Sequence, residues 1–559
     1  MMGMMRAFFL VILLAVSCLL ADDACLVEHL RAIVLSNKSE AIKKEELGDV
    51  CGVRVVGVKV VGSRLAWGRF TNDLGSRFLN KPLSQEQLQE IKGAIAVYYE
   101  KKGHPFVEVI IPPQEVTEGV LQVLIHESTL GGIETTGNRW TSSGKMIDNI
   151  HLEVGEPIDT NTLNADLAFL NRNPFRQTNA VFMEGKMAGT TDLELVTKEL
   201  RPFRIYAGID NRGNKAYGKL RQFGGFNWGN FLGLGQTLSY QITTSVDKIT
   251  DLIAHAGYYE VPLPYRQALV CFGGYSRIKN GEVGAESRNE GHNVQASGRY
   301  HFPLFARGKH YNDFSIGFDF KESNNNALLS EDPVFVNITN LSQFLINYQY
   351  QSGWPWGTIL ADLGVYFSPA RMFSHQSEKA YQLLAPGARP KYFYVKGELS
   401  SRFHLPMCFG ISFRFSGQIA NQNLLPSEQE GLGGFDTVRG YRERILNGDD
   451  AIFSSIEFTA PPLSILGWKV ACKKETIDKL TFLAFIDYGW AQVHKKVKDP
   501  FTGQLLTPST SYIVGVGPGV RYFIDPYLNL AAYWGFRLHK TEFEDSLGGR
   551  VNFSLVISY

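Results

Sequence analysis

The chain has 559 residues, too many for one compact soluble core, and its 56 lysines and arginines against 55 aspartates and glutamates leave a formal net charge of +1. That balance supplies no field for a nucleic-acid partner. Glycine at 55 residues and aromatics at 12% favour many strands joined by tight turns over a helical enzyme.

Residues 1–21 read as a signal peptide: Arg6, an apolar stretch from Ala7 to Ala21, then Asp22 and Asp23, too short and wrongly flanked for a spanning helix. Cleavage is expected after Ala21. A competing lipoprotein reading at Cys18 has Ala15 where such sites usually carry leucine. No other stretch reaches about 18 uninterrupted apolar residues, so entry into a membrane must be as a barrel. The six cysteines, at 18, 25, 51, 271, 408 and 472, contain no C-x-x-C pair and no zinc spacing, so no metal is expected. Cys25 and Cys51 would both remain in an exported chain, either as a disulfide or as two isolated thiols. Residues 22–52 form an N-terminal segment in which a helix is expected.

An internal duplication follows, with one offset of 75 residues: "VKVVG" at Val58 aligns with "IETTG" at Ile133, and "KPLSQEQL" at Lys81 with "EPIDTNTL" at Glu156. Ser84 and Asp159 are natural N-caps, and Leu88, Ile91, Ile95 and Tyr98 form an apolar stripe for packing on a sheet. Each copy reads β-α-α-β-β, giving modules at 53–127 and 128–200. The strand over Phe106, Val107, Val109 and Ile111 would, at a sheet edge, offer unpaired backbone to an extended chain.

From 201 to 559 the period becomes two. In "FGISFRFSG", Phe409, Ile411, Phe413 and Phe415 share one face, with Gly410, Ser412, Arg414 and Ser416 on the other. About sixteen such segments begin near residues 203, 218, 235, 253, 267, 292, 311, 341, 357, 392, 408, 451, 480, 511, 527 and 548. Links after even-numbered segments are mostly short. Several after odd ones are long, at 321–341, 368–392, 419–451 and 490–511. Short turns on one rim and long loops on the other are how outer-membrane barrels are built, because closure pairs every backbone group where lipid offers no partner. The fold expected is therefore two α+β modules followed by a 16-stranded antiparallel transmembrane β-barrel.

On the sixth outer loop lies "FDTVRGYRER", where Val438, Arg439, Gly440 and Tyr441 set an arginine between a glycine and an aromatic. On the thirteenth strand, "FIDYG" holds Phe485, Asp487 and Gly489; alternation sends Phe482, Ile486, Tyr488 and Trp490 towards lipid and Asp487 into the lumen. A loop folded inward would let Arg439 grip Asp487 with a charge-assisted fork that lysine would not reproduce.

These stretches resemble the two-partner secretion transporters (TpsB), within the superfamily that includes the barrel-assembly insertase BamA. The VRGY and F-x-D-x-G matches carry the resemblance, with "MAGTTDLELVTKELRPFRIYAGIDNRG" leading from the second module into the barrel and an aromatic, Tyr559, at the end. The resemblance implies POTRA modules in the periplasm, a barrel in the bacterial outer membrane, a secreted unfolded exoprotein as partner and the barrel-assembly machinery for the chain's own insertion. It implies that the Arg439 to Asp487 contact holds the loop inside the pore. It also implies that the partner meets the first module at Phe106–Ile111 and the adjacent helix, and that an N-terminal helix plugs the pore. Barely any linker precedes the first module here, which argues against the plug.

"GNKAYGKL" at Gly213 approaches a phosphate loop, but Leu220 replaces the Ser or Thr that would bind magnesium, and the context is strand-turn-strand. With no H-E-x-x-H and no G-x-S-x-G, neither enzymatic activity nor a cofactor is expected. The leading reading is a transporter of an exoprotein that works without nucleotide hydrolysis. An insertase of membrane barrels usually carries more modules, and a passive porin needs neither modules nor the Arg439 and Asp487 motifs.

Overall fold

The computed structural model describes residues 26–559 except 44–45, 48–55, 63–67, 117, 214–217, 281–286, 308–309, 330–331, 468, 471–475, 498–510, 543 and 545. The signal peptide, Cys25 and Cys51 lie outside the described residues. Two compact units emerge: Met1–Thr136 with Ile150–Leu163 and Asn179–Val196, and Gly137–Asn149 with Asn164–Thr178 and Thr197–Tyr559.

In the first unit, the first repeat has the expected order of a strand (Gly57–Val61), two helices (Gly68–Phe78, Gln85–Lys102) and two strands (Val107–Ile110, Val120–Glu127). Ser84 caps the second helix in a reciprocal capping box with Gln87, and Gly103 ends it in the left-handed conformation at φ 99°. Ile91, Ile95 and Tyr99 are the helix residues fully buried on the sheet; Tyr98, placed in the stripe by sequence, is only partly buried and stacks on Phe70.

The N-terminal segment departs from expectation. Where a helix was expected, Ala32–Ser36 forms a strand, parallel to Gly57–Val61 on one side and to Val120–Glu127 on the other. It is buried throughout, and Ile33 and Leu35 join Leu121 and Val123 in the core with the helix residues. An "AIVLS" run apolar on both faces shows no alternation, so periodicity cannot separate it from a buried helical turn. Its insertion makes Gly57–Val61 one edge of a four-stranded sheet and Val107–Ile110 the other.

The second repeat builds a three-stranded sheet of Thr129–Thr136, Thr190–Glu199 and Arg176–Glu184, with Thr190–Glu199 central. Its helices are Ser143–Ile147 and Thr160–Leu170. At the end of the central strand, the Glu199 carboxylate accepts the backbone N–H groups of Arg139 at 2.7 Å, Trp140 at 2.6 Å and Thr141 at 3.3 Å, gathering a turn around one anion.

The second unit holds a closed barrel of sixteen antiparallel strands, from Phe203–Asp210 to Gly549–Ser558. The last strand pairs with the first from Ser554↔Asp210 to Ser558↔Tyr206, and Tyr559 exchanges two backbone hydrogen bonds with Ile205. Among the described residues no helix is long and apolar enough to cross a membrane; strands make the crossing. Outward faces are apolar: on the twelfth strand, Asp450–Thr459, Ile452, Ile456 and Phe458 are exposed, while Phe453, Ser455 and Glu457 are buried inside.

The expected loop at 321–341 is instead paired backbone. The seventh strand runs His310–Leu329 and the eighth Asp332–Trp354, paired as far as Leu329↔Asp332 with one register shift between Ala327 and Leu328. The sequence there becomes polar, with Asn324 to Asn326, so alternation fades while the two backbones still satisfy each other. Conversely, the link between the twelfth and thirteenth strands is long and carries a small hairpin, Leu463–Ser464 with Lys469–Val470. Cys408, in the turn before the eleventh strand, is in a disulfide, a pairing not raised by the cysteine spacing.

Candidate functional site: loop six and its wall

Loop six connects the eleventh strand, Gly410–Ala420, to the twelfth. It is a hairpin whose limbs pair as Glu430–Leu432 with Leu446–Gly448. Its tip is internally tied: Thr437 Oγ1 accepts the Gly433 N–H at 2.8 Å, and Glu443 accepts the Phe435 N–H at 2.8 Å. Burial pushes the Glu443 carboxyl above its ordinary range, and the Phe435 N–H draws it back only in part. The motif residues of this loop are among the most buried of the chain: Val438 and Tyr441 are fully enclosed, and Arg439 is 1% exposed.

Arg439 meets Asp487 at 0% exposure. Its Nε donates to Asp487 Oδ2 at 2.7 Å and its Nη2 to Oδ1 at 2.7 Å, a two-point fork, and its own backbone N–H adds a third bond to Oδ2 at 3.0 Å. The remaining Nη1 donates to Glu457 Oε1 at 2.6 Å, and Nη2 also reaches Ser455 Oγ at 3.2 Å. Strand register explains the geometry, because Ser455 stands opposite Asp487 and Glu457 opposite Phe485, all on the lumenal face. The guanidinium carbon lies 3.6 Å from the Phe485 ring centroid and 5.0 Å from that of Tyr533, so aromatic faces cover the planar cation.

Glu457 is shared with Arg521, whose Nη2 lies 2.7 Å from Oε2 and whose Nε donates to Tyr533 Oη at 2.8 Å. Two guanidinium groups thus balance two carboxylates, which meets the requirement that buried charge be paired and hydrogen-bonded. Sequence reasoning did not reach Glu457, Ser455 or Arg521. Alternation puts Glu457 on the lumenal face, but its meeting with Arg439 depends on the pairing of two strands separated in the sequence by residues 460–477.

The other motif residues make room. Tyr441 Oη donates to the His539 carbonyl at 2.6 Å and accepts the His539 N–H at 3.2 Å, fixing the tip to the segment just after the fifteenth strand. Gly440 has φ 100°, a conformation that glycine adopts without penalty. Gly489, Gly515 and Gly535, on the thirteenth to fifteenth strands (Asp478–Gln492, Tyr512–Ile524, Leu528–Arg537), form a trough. A Cβ on Gly489 would lie 2.8 Å from Val438, and one on Gly515 would run into the Arg439 carbonyl. Phe485 packs edge-on to Tyr533 at 6.2 Å, beneath the cluster.

The first repeat places its predicted contact residues differently. Val107–Ile110 is an edge, paired only with Val120–Glu127 among the described residues. Alternate side chains face inward: Val109 is buried in the core and Val107 and Ile111 pack against it, while Phe106 lies 4.3 Å from Phe182 with the rings tilted by 51°. What this edge offers outward is backbone, with Glu108 and Ile110 on the face away from the core.

Comparisons with known proteins follow this architecture. The profile "Haemolysin secretion/activation protein ShlB/FhaC/HecB" matches residues 189–522, and "POTRA domain, ShlB-type" matches residues 53–128. The heme/hemopexin transporter protein HuxB of Haemophilus influenzae (strain 86-028NP) is 22% identical over 427 residues, 75% of this chain and 72% of HuxB. The outer membrane transporter CdiB of Dickeya dadantii (strain 3937) is 22% identical over 468 residues, 78% of this chain and 75% of the relative. The solved structure of CdiB from Escherichia coli shares the fold at a TM-score of 0.74 with 15% identity, covering 95% of this chain and 90% of that one. With the profile spanning more than half its residues, the chain belongs to the ShlB/FhaC/HecB family of haemolysin secretion/activation proteins, outer-membrane transporters of two-partner secretion.

Proposed function

We propose that residues 53–127 and 128–200 act as two periplasmic POTRA modules that receive one unfolded exoprotein. They pass it, extended and without nucleotide hydrolysis, into the barrel of residues 201–559. The observation that supports this most directly is the seating of loop six: a hairpin held inside the lumen by a reversible polar cluster, where a fixed channel lining would need only wall residues. Arg439 and Asp487 are read as the positioning pair of that hairpin, with Val438, Gly440, Tyr441, Phe485 and Gly489 shaping its seat. The open edge at Val107–Ile110 supports entry by strand addition, in which main-chain bonds supply affinity. The name of HuxB gives heme/hemopexin and that of CdiB gives no cargo, so the cargo of this chain is to be identified by the exoprotein encoded beside it. The outer-membrane lipid and the barrel-assembly machinery complete the partners of this reading.

The test is uptake by proteoliposomes of the purified full-length chain. Protection of the exoprotein's N-terminal fragment from external protease is the expected result. Flux of small solutes with no protection of the fragment would replace secretion by a porin reading.

A further inference from the structure

We propose that Glu428 is a second latch on loop six, acting on the limb that descends from the eleventh strand and separate from the Arg439 anchor at the tip. Glu428 is 5% exposed although it lies in a loop. Its Oε1 accepts from Lys321 Nζ at 2.6 Å and Ser427 Oγ at 2.9 Å, and its Oε2 from Gln343 Nε2 at 2.9 Å and Tyr394 Oη at 3.0 Å. Its carbonyl accepts from Gln418 Nε2 at 3.0 Å.

The three wall donors come from the seventh, eighth and tenth strands (His310–Leu329, Asp332–Trp354, Lys391–His404), whereas the carboxylates holding Arg439 are on the twelfth and thirteenth. The receptor is braced without the loop. Gln343 accepts from Tyr392 Oη at 2.8 Å and donates to Asp319 at 3.0 Å, and Asp319 takes the Arg299 guanidinium at 2.6 Å. A solvated loop carboxylate needs no such enclosure. Four donors, one of them an ammonium, converge on a single loop anion, and this is the arrangement of a built seat.

Two anchors of opposite polarity, one on a limb and one at the tip, have a mechanical consequence. At the tip the loop contributes the cation and the wall the anions; at Glu428 the loop contributes the anion and the wall the cation. Releasing one leaves the hairpin tethered by the other, so emptying the lumen requires both contacts to break. The purpose of the latch, though not its geometry, rests on the secretion reading.

The experiment uses the full-length chain in planar lipid bilayers, with Glu428→Gln, Lys321→Met and the double variant, each first shown to be folded by its compact band on a gel run without heating. Loss of one hydrogen bond to a charged group shifts a two-state equilibrium on the order of tenfold or more, and the open-time fraction of both single variants is expected to rise by that order. The double variant should not exceed the larger single effect, because both changes remove one contact. Adding Arg439→Ala to Glu428→Gln should open a conductance state larger than either gives alone. Unchanged open times in both folded single variants, or effects that simply add in the double, would overturn the latch. No exoprotein is present in the bilayer, so that failure leaves the secretion reading untouched, and failure of secretion would appear only in the liposome assay.

Discussion

Gly440 of loop six and Gly535 of the fifteenth strand meet backbone to backbone: a Cβ added to Gly440 would sit 2.9 Å from the Gly535 carbonyl carbon. Contact this close brings Arg439 down to the level of Asp487, so the glycine positions the arginine. Gly440→Ala combines that clash with a φ of 100°, a strain of about 1–3 kcal/mol for a residue with a side chain. The expected outcome is a folded barrel whose loop six becomes cleavable by added protease and whose secretion falls steeply. Protection equal to that of the parent would contradict this role.

Arg439→Ala and Arg439→Lys should differ less than charge alone suggests. Removing one partner of a buried pair costs about 3–5 kcal/mol, because the other charge stays buried without a partner. Lysine restores the charge but cannot span Asp487, Glu457 and Ser455 at once. Both variants should insert and both should fail to secrete, as read by exoprotein in the medium. Secretion by Arg439→Lys at the parental level would show that the fork is dispensable.

Ile33, in the N-terminal strand, is fully buried. Ile33→Ala should destabilise the first module by about 2–5 kcal/mol, and Ile33→Asp should unfold it. Limited proteolysis of the full-length protein checks this, with cleavage of the first module preceding cleavage of the barrel. A module equally resistant in Ile33→Asp would mean that the strand is an addition and not core.

Much of the barrel was legible because a lipid-facing wall imposes strict alternation. Strand starts near 203, 357 and 392 fall within one residue of Phe203, Gly357 and Lys391. Legibility ended where that constraint ended. Beyond the apolar band the seventh and eighth strands keep pairing without alternating, and Ala32–Ser36, buried on both faces, never alternates. At the site, Arg439 and Asp487 were readable because each breaks an expectation, a charge beside fixed glycine and aromatic residues and a carboxylate inside the apolar run from Phe482 to Trp490. Glu457 and the Gly515 and Gly535 trough follow from register, which the sequence does not display.

At the edge Val107–Ile110, successive residues direct their N–H groups alternately towards Val120–Glu127 and outwards. Proline substitution across these four positions should therefore give a two-residue rhythm. At outward positions the module stays folded and exoprotein binding is lost; at inward positions the edge itself is disrupted. Uniform retention of binding, measured with the exoprotein's N-terminal fragment, would move the contact elsewhere.

Glu199 gives the second repeat a pH dependence. Burial alone would raise its carboxyl, but hydrogen bonds from the Thr141 hydroxyl and the N–H groups of Trp140, Arg139 and Thr141 outweigh it and hold the group below its ordinary value. A depressed acid contributes stability that is present above its unfolded value and lost as pH falls through the folded one. Glu199→Gln should therefore weaken hydrogen-exchange protection of Arg139 to Thr141 at neutral pH and make no difference in strong acid. An equal loss at both would assign the effect to shape and not to charge.

A stretch of polypeptide can have only one address. Ala32–Ser36 has committed its amides and carbonyls to neighbours on both flanks within a folded module, so the same residues have none left with which to stopper a channel. Ala32–Ser36 is thus a structural rib of its own module, while the hairpin whose limbs pair at Glu430–Leu432 and Leu446–Gly448 buries its tip against the lumenal wall.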